Sequence, residues 1–214
     1  MLGVVSRNRL GMLQQCLNSA ITNAGNVNLT AMVIFDDDLE SYLACPDYPW
    51  LEKLFLVPRH YYVRSVIALT QNILQRADVD YLVLVDDDTE FVQTPWAEAC
   101  ISYFNEHFPD GLGILDMLGD QECGQLFTTP AFVEHMGGRL HDPRYLQFYA
   151  DTELRLRVGT HFTSCNTIAG RPFFVHKRDF AGGSAATLAH LKAQDLKLFK
   201  EQATQEGWSL YDIQ

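Results

Sequence analysis

What most constrains the fold of this chain is the run Tyr81-Leu82-Val83-Leu84-Val85, unbroken in apolar character and walled by Asp80 and Asp86. A strand with one wet face alternates apolar and polar residues. A short continuous apolar run is buried on both faces, as in a parallel sheet covered by helices on each side. Thr30 to Phe35 reads as a second such strand, Leu2 to Ser6 as a short first one, and Lys53 to Val57 as a third in between. Helical spacing fills the gaps. Leu10, Leu13, Leu17, Ala20 and Ile21 mark a helix over Arg9 to Ile21, and Val63 to Ala77 and Trp96 to Phe104 read the same way. Strand–helix alternation of this kind predicts an α/β protein, a Rossmann-like single domain with a mostly parallel sheet flanked by helices on both faces.

The second half is less regular. It offers a strand at Leu112 to Leu115, a turn at Gly137-Gly138, a helix from about Asp151 to Val158 and a strand at Pro172 to Val175. The polar tail Ser184 to Glu206 is helix-prone, with Leu188, Leu191, Leu196 and Phe199 available for docking. With 214 residues and no linker or repeat, one domain is expected over 1–214, with halves at 1–92 and 93–180 and a helical tail at 181–214.

Charge narrows the partners. Sixteen basic against 27 acidic residues give a net charge of −11, which disfavours broad binding to nucleic acid or anionic membrane. No apolar stretch approaches a membrane span, and the N-terminus lacks the basic lead-in and cleavage site of a signal peptide. Cys16, Cys45, Cys100, Cys123 and Cys165 are odd in number and show no C-x-x-C pair, so reduced thiols in a cytoplasmic protein are expected.

Two of the strongest strands end in acids, Asp36-Asp37-Asp38 and Asp86-Asp87-Asp88. Parallel strands bring their carboxyl ends to one edge, and ligands of open α/β sheets bind there. Asp86 and Asp88 form an Asp-x-Asp pair, which projects to one side if strand geometry persists. Hard carboxylate oxygens suit Mg²⁺ or Mn²⁺, whose coordination a substrate diphosphate would complete. The plainer reading is that three acids open a turn after a strand.

These strings, in this order, resemble glycosyltransferase family 2, the inverting nucleotide-sugar enzymes of GT-A fold. Val4-Val5-Ser6-Arg7-Asn8-Arg9 resembles the family's opening strand and polar turn, Asp36-Asp37 its base-binding pair, and Tyr81 to Asp88 its strand with Asp-x-Asp. The resemblance implies a metal-dependent transferase moving a sugar from a nucleoside-diphosphate sugar, UDP favoured, to an acceptor hydroxyl. It implies donor contacts at Ser6, Arg9, Asp36, Asp37, Asp86 and Asp87, and metal ligands at Asp86 and Asp88. His135 to Asp142 resembles the family's Gly-Gly turn, and Tyr149 to Arg157 the segment carrying the general base. Asp151 matches that base, with Glu153 as its alternate. Phe174-Val175-His176 resembles a strand ending in a metal-binding histidine. Departures exist: Ala150-Asp151 stands for the usual Glu-Asp, Thr70-Gln71 or Gln71-Asn72 for Arg-Asn, and Arg7 for tyrosine. Arg64 is a stand-in for the missing positive charge on the diphosphate.

Each site residue has a second reading. Asp151 also suits a helix N-cap; Asp36 and Asp38 suit turn or capping work. His176 suits the end of a strand, and His135, His141 and His161 suit the surface or packing. Trp96, Tyr145, Phe148 and Tyr149 suit an aromatic floor under an acceptor sugar, though Trp96 also suits a helical core. Leu118 to Thr129 is a lid or a plain surface loop. Among rival activities, a haloacid-dehalogenase-like phosphatase calls for Gly-Thr where Thr89-Glu90 stands. A nucleotidyltransferase calls for a Gly-rich basic loop after the first strand. A non-catalytic sugar-nucleotide or carbohydrate-binding protein is the non-enzyme alternative, and a glycan or modified nucleic acid is the acceptor class.

Overall fold

Alternate residues of each central strand enter two separate cores, one on either face of a single sheet. The computed structural model describes residues 1–119, 123–165, 167–168, 171–172, 174–176 and 189–208, with only the backbone of Ile168, Arg171 and His176. In chain order the elements run β1 (Leu2–Ser6), α1 (Leu10–Asn23), β2 (Ala31–Asp36), α2 (Leu39–Ala44), β3 (Leu51–Leu56), α3 (Tyr61–Leu74) and β4 (Leu82–Asp86). Next come β5 (Thr89–Phe91), α4 (Trp96–His107), β6 (Ile114–Asp116), β7 (Leu126–Thr128), α5 (Pro130–His135) and α6 (Ala150–Val158). Short strands β8 (Phe162–Ser164), β9 (Thr167–Ile168), β10 (Arg171–Pro172) and β11 (Phe174–His176) precede α7 (Ala189–Glu206).

The main sheet has seven strands in the order β3-β2-β1-β4-β7-β6-β8. β1 pairs in parallel with β2 and β4, as do β2 with β3 and β6 with β8; β7 alone runs antiparallel to its neighbours. Val4, Phe35, Val83 and Val85 point to the face covered by Leu13 and Leu17 of α1 and Trp96 of α4. Ile34, Leu82 and Leu84 point to the other face, against Leu69 and Ile73 of α3 and Leu154 of α6. Burial on both faces is why the strands read as continuous apolar runs. The mostly parallel α/β sheet with helices on both faces is therefore as expected. The Trp96 indole is fully buried, packs against the Phe91 ring with centroids 4.3 Å apart and donates to Ala20 O at 2.9 Å, tying α4 to α1. It is core, not acceptor floor.

Two expectations are corrected. Within the stretch Leu118 to Thr129, Leu126 to Thr128 forms the buried strand β7 beside β4, so that part is neither lid nor surface loop. The strand expected over Pro172 to Val175 is two short pieces, the second returning to pair antiparallel with β5. α2 and α5 are too short for periodicity to reveal, and their caps define them. Asp38 Oδ1 accepts from Ser41 N at 3.1 Å, and Thr129 Oγ1 accepts from Phe132 N at 3.1 Å with Pro130 opening the helix. Among the described residues no helix is long and apolar enough to cross a membrane.

Gly3 sets how closely α3 approaches β1. A Cβ there would lie 2.8 Å from Leu69 Cδ2 and 2.9 Å from Leu84 Cδ2. Gly3→Ala is expected to destabilise the fold by about 1 kcal/mol, overpacking outweighing the backbone entropy gained, as a lower urea midpoint at unchanged slope.

Candidate active site

The carboxyl ends of β1, β2 and β4 do meet at one edge, and the acids that follow them have different surroundings. β4 ends at Asp86 and a tight turn at residues 87–88 leads directly into β5. Strand alternation therefore stops one residue too early to align Asp86 with Asp88. Asp86 remains half-buried in the wall of a cavity. Asp88 is only 7% exposed, and its Oδ2 accepts from Arg9 Nη1 at 3.1 Å. The same guanidinium places Nη2 2.9 Å from Asp87 Oδ1, while Ser6 Oγ donates to Asp87 Oδ2 at 2.7 Å. Ser6 and Arg9 thus close on the acids from the end of β1. Burial pushes the Asp87 carboxyl up to about 7, with Arg9 and Ser6 opposing the rise and Asp86 and Asp88 adding to it.

At the end of β2 the acids divide their work. Asp36 is buried and accepts from His60 N at 2.6 Å; Asp38 accepts from Asn8 N at 2.6 Å and caps α2. Asp37 alone is exposed, at a left-handed φ of 57°. Arg64 lies on the outer side of α3, exposed, with Nε donating to Pro143 O at 3.3 Å, and the cavity is lined without it. Helical phase turns residue 64 outward while Val63 and Val66 turn in, so Arg64 is not brought together with the cavity residues.

The cavity, about 220 Å³, is lined by Arg9, Tyr62, Asp86, His141, Gln147 and Asp151 together with Cys123, Gly124 and Ala150. Asp86 from β4 and Asp151 from α6 thus share one space. Tyr62 lies in the first turn of α3 and its hydroxyl hydrogen-bonds Asp86; burial, then the charges of Asp86 and Asp151, hold the phenol well above its ordinary range. Tyr149, at φ 62°, precedes α6, so Asp151 is in the first turn rather than at the cap. There it meets the positive end of the helix, and its Oδ1 accepts from Thr152 N at 2.8 Å. Glu153 is fully buried, bonded to Arg157 Nε at 2.8 Å, and is not in the cavity wall.

His141 is 4% exposed, and its Nδ1 lies 3.3 Å from Ala150 O. A carbonyl only accepts, so Nδ1 carries the proton and Nε2 keeps a lone pair. Burial lowers the imidazole to about 4, against the pull of Asp151, so it is neutral at physiological pH. His141, Tyr62 and Gln147 are cavity residues that sequence reasoning missed; Tyr62 stands beside Tyr61 in a helix start of mixed polarity, Tyr61-Tyr62-Val63-Arg64, and nothing local marks it out. His135 is exposed and His161 Nδ1 pairs with Leu112 O at 2.9 Å, neither in the cavity. Tyr145 is buried and Tyr149 stacks on Phe199, so neither forms a floor.

Asp86 offers hard oxygens to the cavity, as Mg²⁺ or Mn²⁺ requires, and a substrate diphosphate supplies oxygens of the same kind. Among the described residues no group of three or more His, Cys, Asp or Glu side chains is arranged to hold a metal ion. A cation here fits as one held jointly by protein and substrate. The side chains of His176 and Arg171 lie outside the described residues; His176 pairs through its backbone with Thr89.

No known family and no curated protein matches the sequence. Solved structures do match the fold. The chain is similar to Staphylococcus aureus TarS residues 1–349, free and in complex with UDP, each with a TM-score of 0.58 and 10% identity over 81% of this chain and 58% of that one. It is also similar to the mannosyltransferase PcManGT of Pyrobaculum calidifontis in complex with GDP-Man and Mn²⁺, with a TM-score of 0.61 and 10% identity over 93% of this chain and 63% of that one. The chain thus spans about three fifths of the length of these structures. Its fold is GT-A-like, the mostly parallel α/β sheet that it shares with these structures.

Proposed function

We propose that the chain transfers a sugar from a nucleoside-diphosphate sugar to an acceptor hydroxyl, in the manner of glycosyltransferase family 2 and with inversion. The observation that carries this reading is the meeting of Asp86 and Asp151 across one 220 Å³ cavity at the carboxyl edge of the sheet. The similar structures hold UDP in one case and GDP-Man with Mn²⁺ in another, which supports the same ligand class here. Asp37, the exposed acid after β2, is the acceptor for a base N–H, with UDP as the first choice.

In this reading the acceptor oxygen attacks the anomeric carbon as Asp151 takes its proton, and the bond from that carbon to the diphosphate oxygen breaks. Asp86 would hold Mn²⁺ or Mg²⁺ together with the substrate diphosphate, and Asp88 and His176 would be further ligands, Asp88 by turning from Arg9 toward the cation. A bound cation supplies charge neutralisation for the departing diphosphate. Arg9 holds Asp88 until the cation binds, and neutral His141, with its free Nε2, accepts a hydroxyl hydrogen bond in the cavity. Tyr62 keeps Asp86 oriented. The acceptor is a glycan or another hydroxyl-bearing molecule, and the five free cysteines support a reducing, cytoplasmic setting.

A panel of UDP- and GDP-sugars, with and without Mn²⁺, tests the donor site by thermal shift. Wild type is expected to gain stability from one donor only with Mn²⁺, a gain of about 3 kcal/mol at 100 times Kd. Asp86→Ala and Asp88→Ala are expected to lose it. Equal gains in wild type and both variants would overturn the metal assignment.

A further inference from the structure

The loop from Tyr145 to Tyr149 carries Gln147 into the cavity wall and leads straight into Asp151. Its backbone N–H groups are bound by one side chain from far along the sequence. Asp195, in α7 and wholly buried, accepts from Leu146 N at 3.2 Å through Oδ1, and from Gln147 N and Phe148 N, each at 2.9 Å, through Oδ2. Three successive N–H groups converging on one anion fix the direction of the loop as no single hydrogen bond does.

The same face of α7 continues the grip. Phe199 stacks on Tyr149 at 5.5 Å, and Gln202 accepts from the Tyr145 hydroxyl at 3.2 Å and donates to Glu153 at 3.4 Å. Residues 195, 199 and 202 recur at helical spacing, so one stripe meets the chain from Tyr145 to Glu153. On its other side the loop braces α3. Leu146 O accepts from Val63 N at 3.1 Å and Gln147 Oε1 from Tyr62 N at 3.4 Å, satisfying two N–H groups of the first turn. Tyr62 in turn holds Asp86.

Docking of α7 does not require a carboxylate. Leu191, Phe199 and Ala203 bury the helix by apolar contact, and a charge removed from water in mid-helix is costly unless fully hydrogen-bonded. We propose that Asp195 is a positioning residue of the cavity: its carboxylate sets the 146–148 backbone, and through it the placing of Gln147 and Asp151. This rests on the reading of the cavity as catalytic, and the experiment separates the two.

Asp195→Asn in the full chain keeps the side-chain shape but replaces one acceptor oxygen with an NH₂ that opposes the loop donors. Amide exchange at Leu146, Gln147 and Phe148 is expected to rise about 10-fold, with β1 and β4 unchanged. Affinity for UDP with Mn²⁺ stays within about 3-fold, while kcat for hydrolysis of UDP-glucose or GDP-mannose falls about 100-fold at little change in KM. A merely structural residue would lower the melting temperature without that split. Unaltered exchange, or a loosened loop with turnover within about 2-fold of wild type, overturns the proposal. If Asp195→Asn does not fold, Asp195→Glu keeps the charge and shifts it by one methylene. Reduced kcat with intact UDP binding then supports the proposal, and wild-type kcat overturns it. Wild type that neither binds UDP nor hydrolyses either donor refutes the glycosyltransferase reading, while the exchange data still decide whether Asp195 holds the loop.

Discussion

Asp151→Asn should leave binding of UDP with Mn²⁺ within about 3-fold of wild type and lower sugar transfer by about 10³-fold, the middle of the range for loss of a general base. The substitution preserves shape and the hydrogen bond from Thr152 N, so the first turn of α6 should form as before. Only the ability to take a proton is lost. No neighbour replaces it. His141 faces the same cavity, but burial lowers its imidazole to about 4, and one ring nitrogen is turned to Ala150 O. Glu153 is locked to Arg157 outside the cavity. Initial rates with a fixed donor and a panel of hydroxyl acceptors measure the effect. Retention of more than about a tenth of wild-type transfer would remove Asp151 from the role of base.

The parallel core was legible because burial on both faces leaves short apolar runs, rich in β-branched and aromatic residues and bounded by polar ones, as in Tyr81 to Val85 and Thr30 to Phe35. β7 was not. Leu126-Phe127-Thr128 is three residues long, and what makes it a strand is its position between β4 and β6, which no local pattern encodes. The acid clusters were legible for a topological reason, since parallel strands must deliver their ends to one edge. The directions of their side chains were not, because a turn at residues 87–88 replaces the extended geometry the Asp-x-Asp reading assumed. His141, Gln147 and Tyr62 were hidden for a third reason. His141 and Gln147 reach the cavity on the chain before α6, and Tyr62 on the first turn of α3 that this chain braces; α7 holds the loop from nearly fifty residues away, at Asp195 to Leu146 and Gln147.

Arg9→Ala should destabilise the protein by about 2 kcal/mol at pH 8, and by much less at pH 5. Arg9 is the cation for Asp87 and Asp88, at 2.9 Å and 3.1 Å, and those carboxylates are 1% and 7% exposed while the arginine is 41% exposed. Its exposure puts the loss below that of a fully buried pair. In the unfolded chain an aspartate titrates near ~3.9. In the fold Asp87 titrates at about 7, chiefly through burial and with Arg9 already opposing the shift. The native state therefore binds more protons than the unfolded one across that interval, and this contribution to stability is lost as pH rises through it. Without Arg9 the native carboxyl moves higher still, so the penalty grows at pH 8, where the charged form is demanded, and fades where the proton stays on. Urea unfolding at the two pH values measures the difference. Mn²⁺ gives an internal control: a cation bound by Asp86 and Asp88 should restore part of the stability lost by Arg9→Ala at pH 8, and none to Arg9→Ala combined with Asp88→Ala. Equal destabilisation at both pH values, unmoved by Mn²⁺, would mean that Arg9 acts by packing its stem and not by neutralising the turn after β4.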